Sequence, residues 1–165
     1  VPELSGEGAV IRFTTVTEIA ASADRAFACV AEPARWPSFV GFALVPGIAR
    51  GEPSELPQRA GTRIRLENVD GSRFEETVTA FEPGRRYAVR VHLEPPGSWF
   101  MRGIDETFDF EPTAAGSRLV RTLAIEPRGA WAAPLALLFA HLLLKVAVRR
   151  HDMNIAAAAA REAAA

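Results

Sequence analysis

Apolar and polar residues along this chain follow first a two-residue rhythm and then a helical one. From Ala9 to Ala20, AVIRFTTVTEIA, β-branched residues alternate in part with polar ones and predict a strand. Ser22 then stands as an N-cap before ADRAFACVA, with Asp24 in the first turn, and predicts a short helix over 23–31. Pro33 opens a second short helical piece, PARWPSFV, which Pro37 keeps short and Gly41 closes. Phe42 to Arg50 reads as a strand weakened by Pro46 and Gly47, and EPSELPQRAG as a loop. TRIRLENV, SRFEETVTAFE, RRYAVRVHLE, IDETFDFEP and SRLVRTLAIEP then read as strands. Turn signals at Asp70-Gly71, at Glu82-Pro83-Gly84-Arg85 and across Thr113 to Gly116 join three pairs of them. PPGSWFMRG reads as an aromatic-tipped loop.

From Trp131 to Ala163 the pattern is helical. Pro134 suits a first helical position, and after it neither glycine nor proline interrupts roughly eight turns. Stepping through this helix puts His141, Lys145, Arg149 and Asp152 on one narrow polar stripe, with apolar residues around most of the remaining circumference. Such a helix needs a cover. The uncharged run from Ala130 to Leu144 falls short of the ~20 residues that span a bilayer core, so a transmembrane helix is set aside. Contact with a membrane surface, or a homodimer through the same helix, stays open as another use of it. The order of elements is strand, two short helices, six antiparallel strands and a long helix. It predicts an α+β helix-grip fold, with a curved antiparallel sheet of about seven strands wrapped around the C-terminal helix and the short helices plugging one end. Residues 1–8, VPELSGEG, read as a flexible lead-in, and 9–163 as one domain.

Composition narrows the function. A formal net charge of -1 argues against nucleic acid as a partner. Cys29 is the only cysteine, so an intramolecular disulfide and a Cys-based zinc site are both excluded. His92, His141 and His151 are dispersed without ligand spacing, and neither metal nor cofactor is expected. No signal peptide is visible, which makes a cytoplasmic protein the default expectation. A phosphate-cradling glycine loop, a G-x-S-x-G elbow and an H-E-x-x-H pair are all lacking, and nothing locates a Ser/His/Asp triad.

The element order, EIAASADRAFACVAEPARWPSFVGF, the strand pair ETVTAFEPGRRYAVRVH and the closing helix together resemble the START-like, or SRPBCC, superfamily. That superfamily includes the plant pollen-allergen fold, polyketide cyclase/dehydrase-like bacterial proteins and coenzyme-Q-binding proteins. The resemblance covers about residues 9 to 160. Its most specific piece is Ala31-Glu32-Pro33-Ala34-Arg35-Trp36-Pro37, similar to the "D/E-P-x-x-W/Y-P" that opens the second short helix in many members. It implies the helix-grip fold; carriers, cyclases, receptors and chaperone activators all occur on that scaffold.

A helix-grip fold leaves a cavity between helix and sheet. Pairing outward from the turns sets Val78 against Val89, Glu76 against Val91 and Phe108 against Arg121. The inner face is then Phe74, Val78, Tyr87, Val89, Val91, Ile104, Phe108, Leu119 and Leu123, and the two-residue period puts Glu76, Glu106 and Arg121 on it too. Buried charge is costly unless paired, so these three are candidates for anchoring a ligand or for proton transfer. The alternatives are a structural ion pair, or bulges that turn them out to water. On the helix, Ala136, Ala140, Leu143, Ala147, Arg150 and Asn154 are expected to face the sheet. Trp36, Phe39 and Phe42, with Trp99, Phe100 and Met101, are expected around the cavity mouth or as core plugs. Asp105, Asp109, Arg90 and His92 are expected on the solvated outer face.

The leading expectation is a binding protein for a hydrophobic small molecule, such as a lipid, quinone or polyketide-like compound, contacted by Trp36, Phe39, Phe42, Val78, Tyr87, Val89, Trp99, Phe100, Phe108, Leu143, Ala147 and Arg150. The rival is a polyketide cyclase or dehydratase with a cavity carboxylate as general acid or base. The third reading is an adaptor for a protein or membrane partner.

Overall fold

The computed structural model describes residues 10–163; the expected lead-in over 1–8 lies outside them. Seven antiparallel strands form one sheet: β1 (Ile11–Ile19), β2 (Ile48–Pro53), β3 (Arg63–Asn68), β4 (Arg73–Glu82), β5 (Arg86–His92), β6 (Met101–Thr113) and β7 (Gly116–Pro127). Their order across the sheet is β1-β7-β6-β5-β4-β3-β2. Each neighbour pair within β2–β7 is consecutive in sequence, and β1 closes the order beside β7. Helix α1 (Ala23–Ala31) and a 3-10 helix over Pro33–Ser38 follow β1, and α2 (Gly97–Phe100) is a single turn before β6. The long C-terminal helix is α3 (Ala133–Phe139), a π turn over Ala140–Leu144, and α4 (Lys145–Ala163). This is the helix-grip architecture that the pattern of residues predicted.

Alternation does most of the work. In β7, Ser117, Leu119, Arg121, Leu123 and Ile125 are buried while the residues between them are half-buried or exposed. The other face carries cross-strand ion pairs, with Arg90 Nη1 donating to Asp105 at 2.7 Å and Arg86 Nε to Asp109 at 2.6 Å. One end of the core is closed by α1, whose Phe27 packs edge-on against Phe81, Tyr87 and Phe110. Ser22 caps that helix through Arg25 N–H at 3.4 Å.

Two expectations need correction. β2 begins at Ile48, and Phe42 lies in a tight turn before it, where Phe42 and Val45 exchange backbone hydrogen bonds of 2.8 and 2.9 Å. Pro46 cannot donate to a ladder, and Ala43 takes a positive φ of 52°, so the chain reverses where a strand was expected. The long helix is also not uniformly α. Its π turn takes in an extra residue, so burial steps by four through Ala136, Ala140, Leu144 and Val148.

The Trp36 indole is held by an Nε1–H bond of 2.9 Å to the Val30 carbonyl and lies against β2 at Gly51. A Cβ at Gly51 would overlap the indole ring. Gly51→Ala is therefore expected to cost about 1–3 kcal/mol by overpacking. Urea unfolding checks this, with a Trp36→Phe background expected to relieve part of the loss.

Candidate functional site

Between the sheet and the long helix lies a cavity of about 470 Å³. That is room for a small organic molecule of several rings. Val89, Val91, Ile104, Phe108 and Leu123 form its sheet side, Leu144 and Val148 its helix side, and Trp36 and Phe39 one wall. Exposed Leu44, Asp70, Arg73, Glu94 and Pro95 mark its outer end.

Glu76, Glu106 and Arg121 all face this cavity. The pairings that placed them there are observed: Glu76 with Val91, Val78 with Val89, and Phe108 with Arg121. β4 carries an irregularity between Val78 and Ala80; the turn pairs Glu82 with Arg86, and the one-residue shift is what sets Val78 against Val89 and Glu76 against Val91.

The three charges have different environments. Arg121 is 3% exposed and is engaged through its Nε and Nη1. Its Nε donates to Glu106 Oε1 at 2.6 Å and its Nη1 to Asp152 Oδ1 at 2.9 Å, while its guanidinium carbon sits 4.5 Å from the Phe108 ring centre. Asp152, 1% exposed, also accepts from Thr15 Oγ1 at 2.6 Å. Thr15 and Arg121 are cross-strand partners in β1 and β7, so adjacent strands grip one helix carboxylate. Arg121 Nη1 lies 3.1 Å from His151 Nδ1, and His151 Nε2 lies 3.2 Å from Ser38 Oγ. Since arginine only donates, Nδ1 accepts and Nε2 carries the proton toward Ser38. Burial, and then the Arg121 charge, hold the His151 pKa well below its ordinary value, in keeping with a neutral ring.

Glu76 is the exception. It has no hydrogen-bond partner among the described residues, and its pKa is raised from 4.5 to about 8, first by burial and then by the Glu106 charge, against a smaller pull from Arg121. One guanidinium is already shared between Glu106 and Asp152, so Arg121 cannot also neutralise Glu76. At neutral pH Glu76 is chiefly a carboxylic acid facing an apolar space: a hydrogen-bond donor that can also exchange a proton. The Tyr87 phenol, raised by burial and by Glu76 and Glu106, stays protonated and donates to Gln58 Oε1 at 3.1 Å.

A family model described as polyketide cyclase / dehydrase and lipid transport matches residues 10–160. The chain belongs to this family. No curated protein matches this family member in sequence. Among solved structures, it is similar to the di-domain ARO/CYC StfQ from the steffimycin biosynthetic pathway, with 17% identity and a TM-score of 0.73. That match covers 94% of this chain and 53% of the other, so the chain spans about half of the di-domain protein. A norcoclaurine synthase point mutant from Thalictrum flavum, in complex with a transition-state analogue, matches at 12% identity and TM-score 0.70, covering 96% of this chain and 99% of the other. Ara h 8.0201 matches at 14% identity and TM-score 0.69, covering 90% and 96%. At these identities the likeness is one of fold.

Of the residues expected at the site, Trp36, Phe39, Tyr87, Val89, Phe100 and Phe108 line the cavity of this polyketide cyclase/dehydrase-family protein. Phe42, Val78, Trp99, Leu143, Ala147 and Arg150 are not among its lining residues. The turn at Ala43 sends the Phe42 ring under the Arg150 guanidinium, 4.5 Å from its carbon, and Trp99 points to solvent from α2. Val78 is packed at 1% exposure in the closed part of the core. The four-residue step through the π turn brings Leu144 and Val148 to the cavity in place of Leu143 and Arg150. Asn154, also expected toward the cavity, donates instead to the Ser38 carbonyl at 2.9 Å.

Asp152, placed on the polar stripe by helical stepping, is instead buried in the site, together with Thr15 and with His151, which the sequence offered only as one of three dispersed histidines. A signal existed for Asp152: it is the first acid after Glu126, and an apolar sheet face carrying Arg121 calls for a carboxylate opposite.

Proposed function

We propose that this protein binds an apolar small molecule, of polycyclic or polyketide-like dimensions, with an oxygen acceptor placed at Glu76. The observation that carries the reading is an apolar cavity of about 470 Å³ lined by one carboxyl group, Glu76, that has no hydrogen-bond partner among the described residues. Desolvation of the ligand's apolar surface supplies the affinity, and the Glu76 O–H fixes its orientation by donating to a carbonyl or ether oxygen. Arg121, paired with both Glu106 and Asp152, holds the wall on which the ligand rests.

A second reading follows from the same carboxyl group. With a pKa of about 8, Glu76 is placed near the range in which one group both gives and takes a proton at neutral pH. A bound chain with a β-hydroxy carbonyl unit would lose water through proton removal at its α-carbon and protonation of the departing hydroxyl. That is the chemistry of a cyclase or dehydratase, and family membership supports it in general terms.

Titration with an uncharged solvatochromic naphthalene ketone tests the binding reading. A saturable blue shift is expected, abolished in Val89→Trp, which fills the cavity from the sheet side. Unchanged binding in a folded Val89→Trp protein would place the probe elsewhere and refute the reading.

A further inference from the structure

We propose that the N-terminal half of the long helix, with α2, is a docking surface for an anionic lipid bilayer. Trp99 and Trp131 are 67% and 66% exposed, and Leu135, Leu138 and Leu142 are 54–59% exposed. Trp131 stands in the turn before the helix, Leu135, Leu138 and Leu142 are exposed on its first turns, and half-exposed Lys145 and exposed Arg149 follow after the π turn. The first turns of the helix therefore expose apolar side chains, and the turns after them carry the cations. The inner side of the same helix, Ala136 and Ala140, is fully buried, so the exposed leucines are surplus to the core.

Charge selects the partner. No Asp or Glu occurs from Pro127 to His151, a stretch that holds Arg128, Lys145, Arg149 and Arg150. Arg128 is held by the Ser98 carbonyl, and among the described residues neither it, Lys145 nor Arg149 joins the ion pairs that engage Arg90, Arg102, Arg118 and Arg121. A second copy docked through this face would bring like charges together, because a two-fold interface sets a patch against itself. A bilayer with anionic headgroups meets both halves. Leucine and tryptophan enter the acyl boundary, tryptophan being suited to that level, while lysine and arginine sit among the phosphates.

The surface also borders the cavity. Phe100, next to Trp99, and Phe139, next to Leu138, both line the cavity and pack edge-to-face with centroids 6.0 Å apart. Docking would set this aromatic pair at the lipid boundary. Docking itself does not depend on the cavity being occupied, so its failure and the failure of ligand binding are separately observed.

Trp36 is buried and Trp99 and Trp131 are exposed, so tryptophan emission reads the contact directly. The probes are phosphatidylcholine vesicles with and without phosphatidylglycerol, and vesicles with brominated acyl chains as quenchers. Expected are a blue shift and bromine quenching with the anionic vesicles, at least tenfold weaker binding to neutral ones, and weakening by salt. Leu138→Glu with Leu142→Glu should abolish the shift while leaving the near-UV circular dichroism intact. Lys145→Glu with Arg149→Glu should remove roughly tenfold or more of the affinity for anionic vesicles. Absence of any shift, or equal binding to neutral and anionic vesicles, overturns the proposal. So does a dimer in sedimentation velocity that Leu138→Glu disperses while vesicles go unbound.

Discussion

Arg121→Met is expected to destabilise the protein by about 3–5 kcal/mol, the cost of stripping a partner from buried charge. The substitution leaves volume and apolar contact with Phe108 largely in place, so the loss isolates the electrostatic role. Asp152, 1% exposed, would keep only the Thr15 hydroxyl, and Glu106 would lose its 2.6 Å donor. The same guanidinium links β7 to α4, so the helix would lose a fixed point on the sheet that grips it. Urea unfolding followed by circular dichroism measures the effect. A double variant, Arg121→Met with Asp152→Leu, should recover part of the stability, because no charge is then left facing an apolar site. If the single and double variants lose the same amount, or the single variant loses nothing measurable, the buried pair is not what holds the helix.

Glu76→Gln is expected to act in the opposite direction. In the folded protein Glu76 keeps its proton to about pH 8, whereas its ordinary value is 4.5. Between those values folding takes up a proton, so this group's contribution to stability falls as pH rises through that window and is level outside it. Glutamine cannot ionise. At pH 8 and above the variant should be more stable than the wild type, by an amount on the order of a few kcal/mol. His151 works with the reverse sign: its lowered pKa makes stability fall as pH drops below its ordinary 6.5. The interval from pH 6.5 to 8 therefore isolates Glu76 from His151. Urea unfolding across it should show a falling wild-type curve and a flatter Glu76→Gln curve; parallel curves would mean that Glu76 is already ionised in the folded state. If Glu76 is also a proton-transfer group, the stabilised variant should lose turnover, since the strain of a buried acid is then part of function.

The sheet was legible in the sequence because strand periodicity and tight turns constrain each other. Once Ala114-Ala115 is read as a turn, the partner of Arg121 follows by counting; the pairing of Glu76 with Val91 is met for a different reason, because the turn pairs Glu82 with Arg86 instead of Arg85 and the shift at Thr79 offsets that by one residue. The helix was less legible. Alanine and leucine around most of its circumference give no direction for burial, and stepping at a fixed angle does not foresee a π turn at Ala140–Leu144. What orients the helix is long-range polar pairing, of Asp152 with Arg121 and Thr15 and of His151 and Asn154 with Ser38, between residues 31 to 137 apart in sequence. The turn at Phe42–Val45 was missed for a local reason: its positive φ falls on Ala43, a residue that gives no turn signal.

The most direct measurement is native mass spectrometry of freshly purified protein, before and after incubation with naphthalene and anthracene ketones, followed by denaturation and analysis of what is released. The expected result is one apolar molecule per chain, retained in the folded protein, lost on unfolding and excluded by Val89→Trp. A bare mass both before and after incubation would contradict the assignment of this cavity as a ligand site.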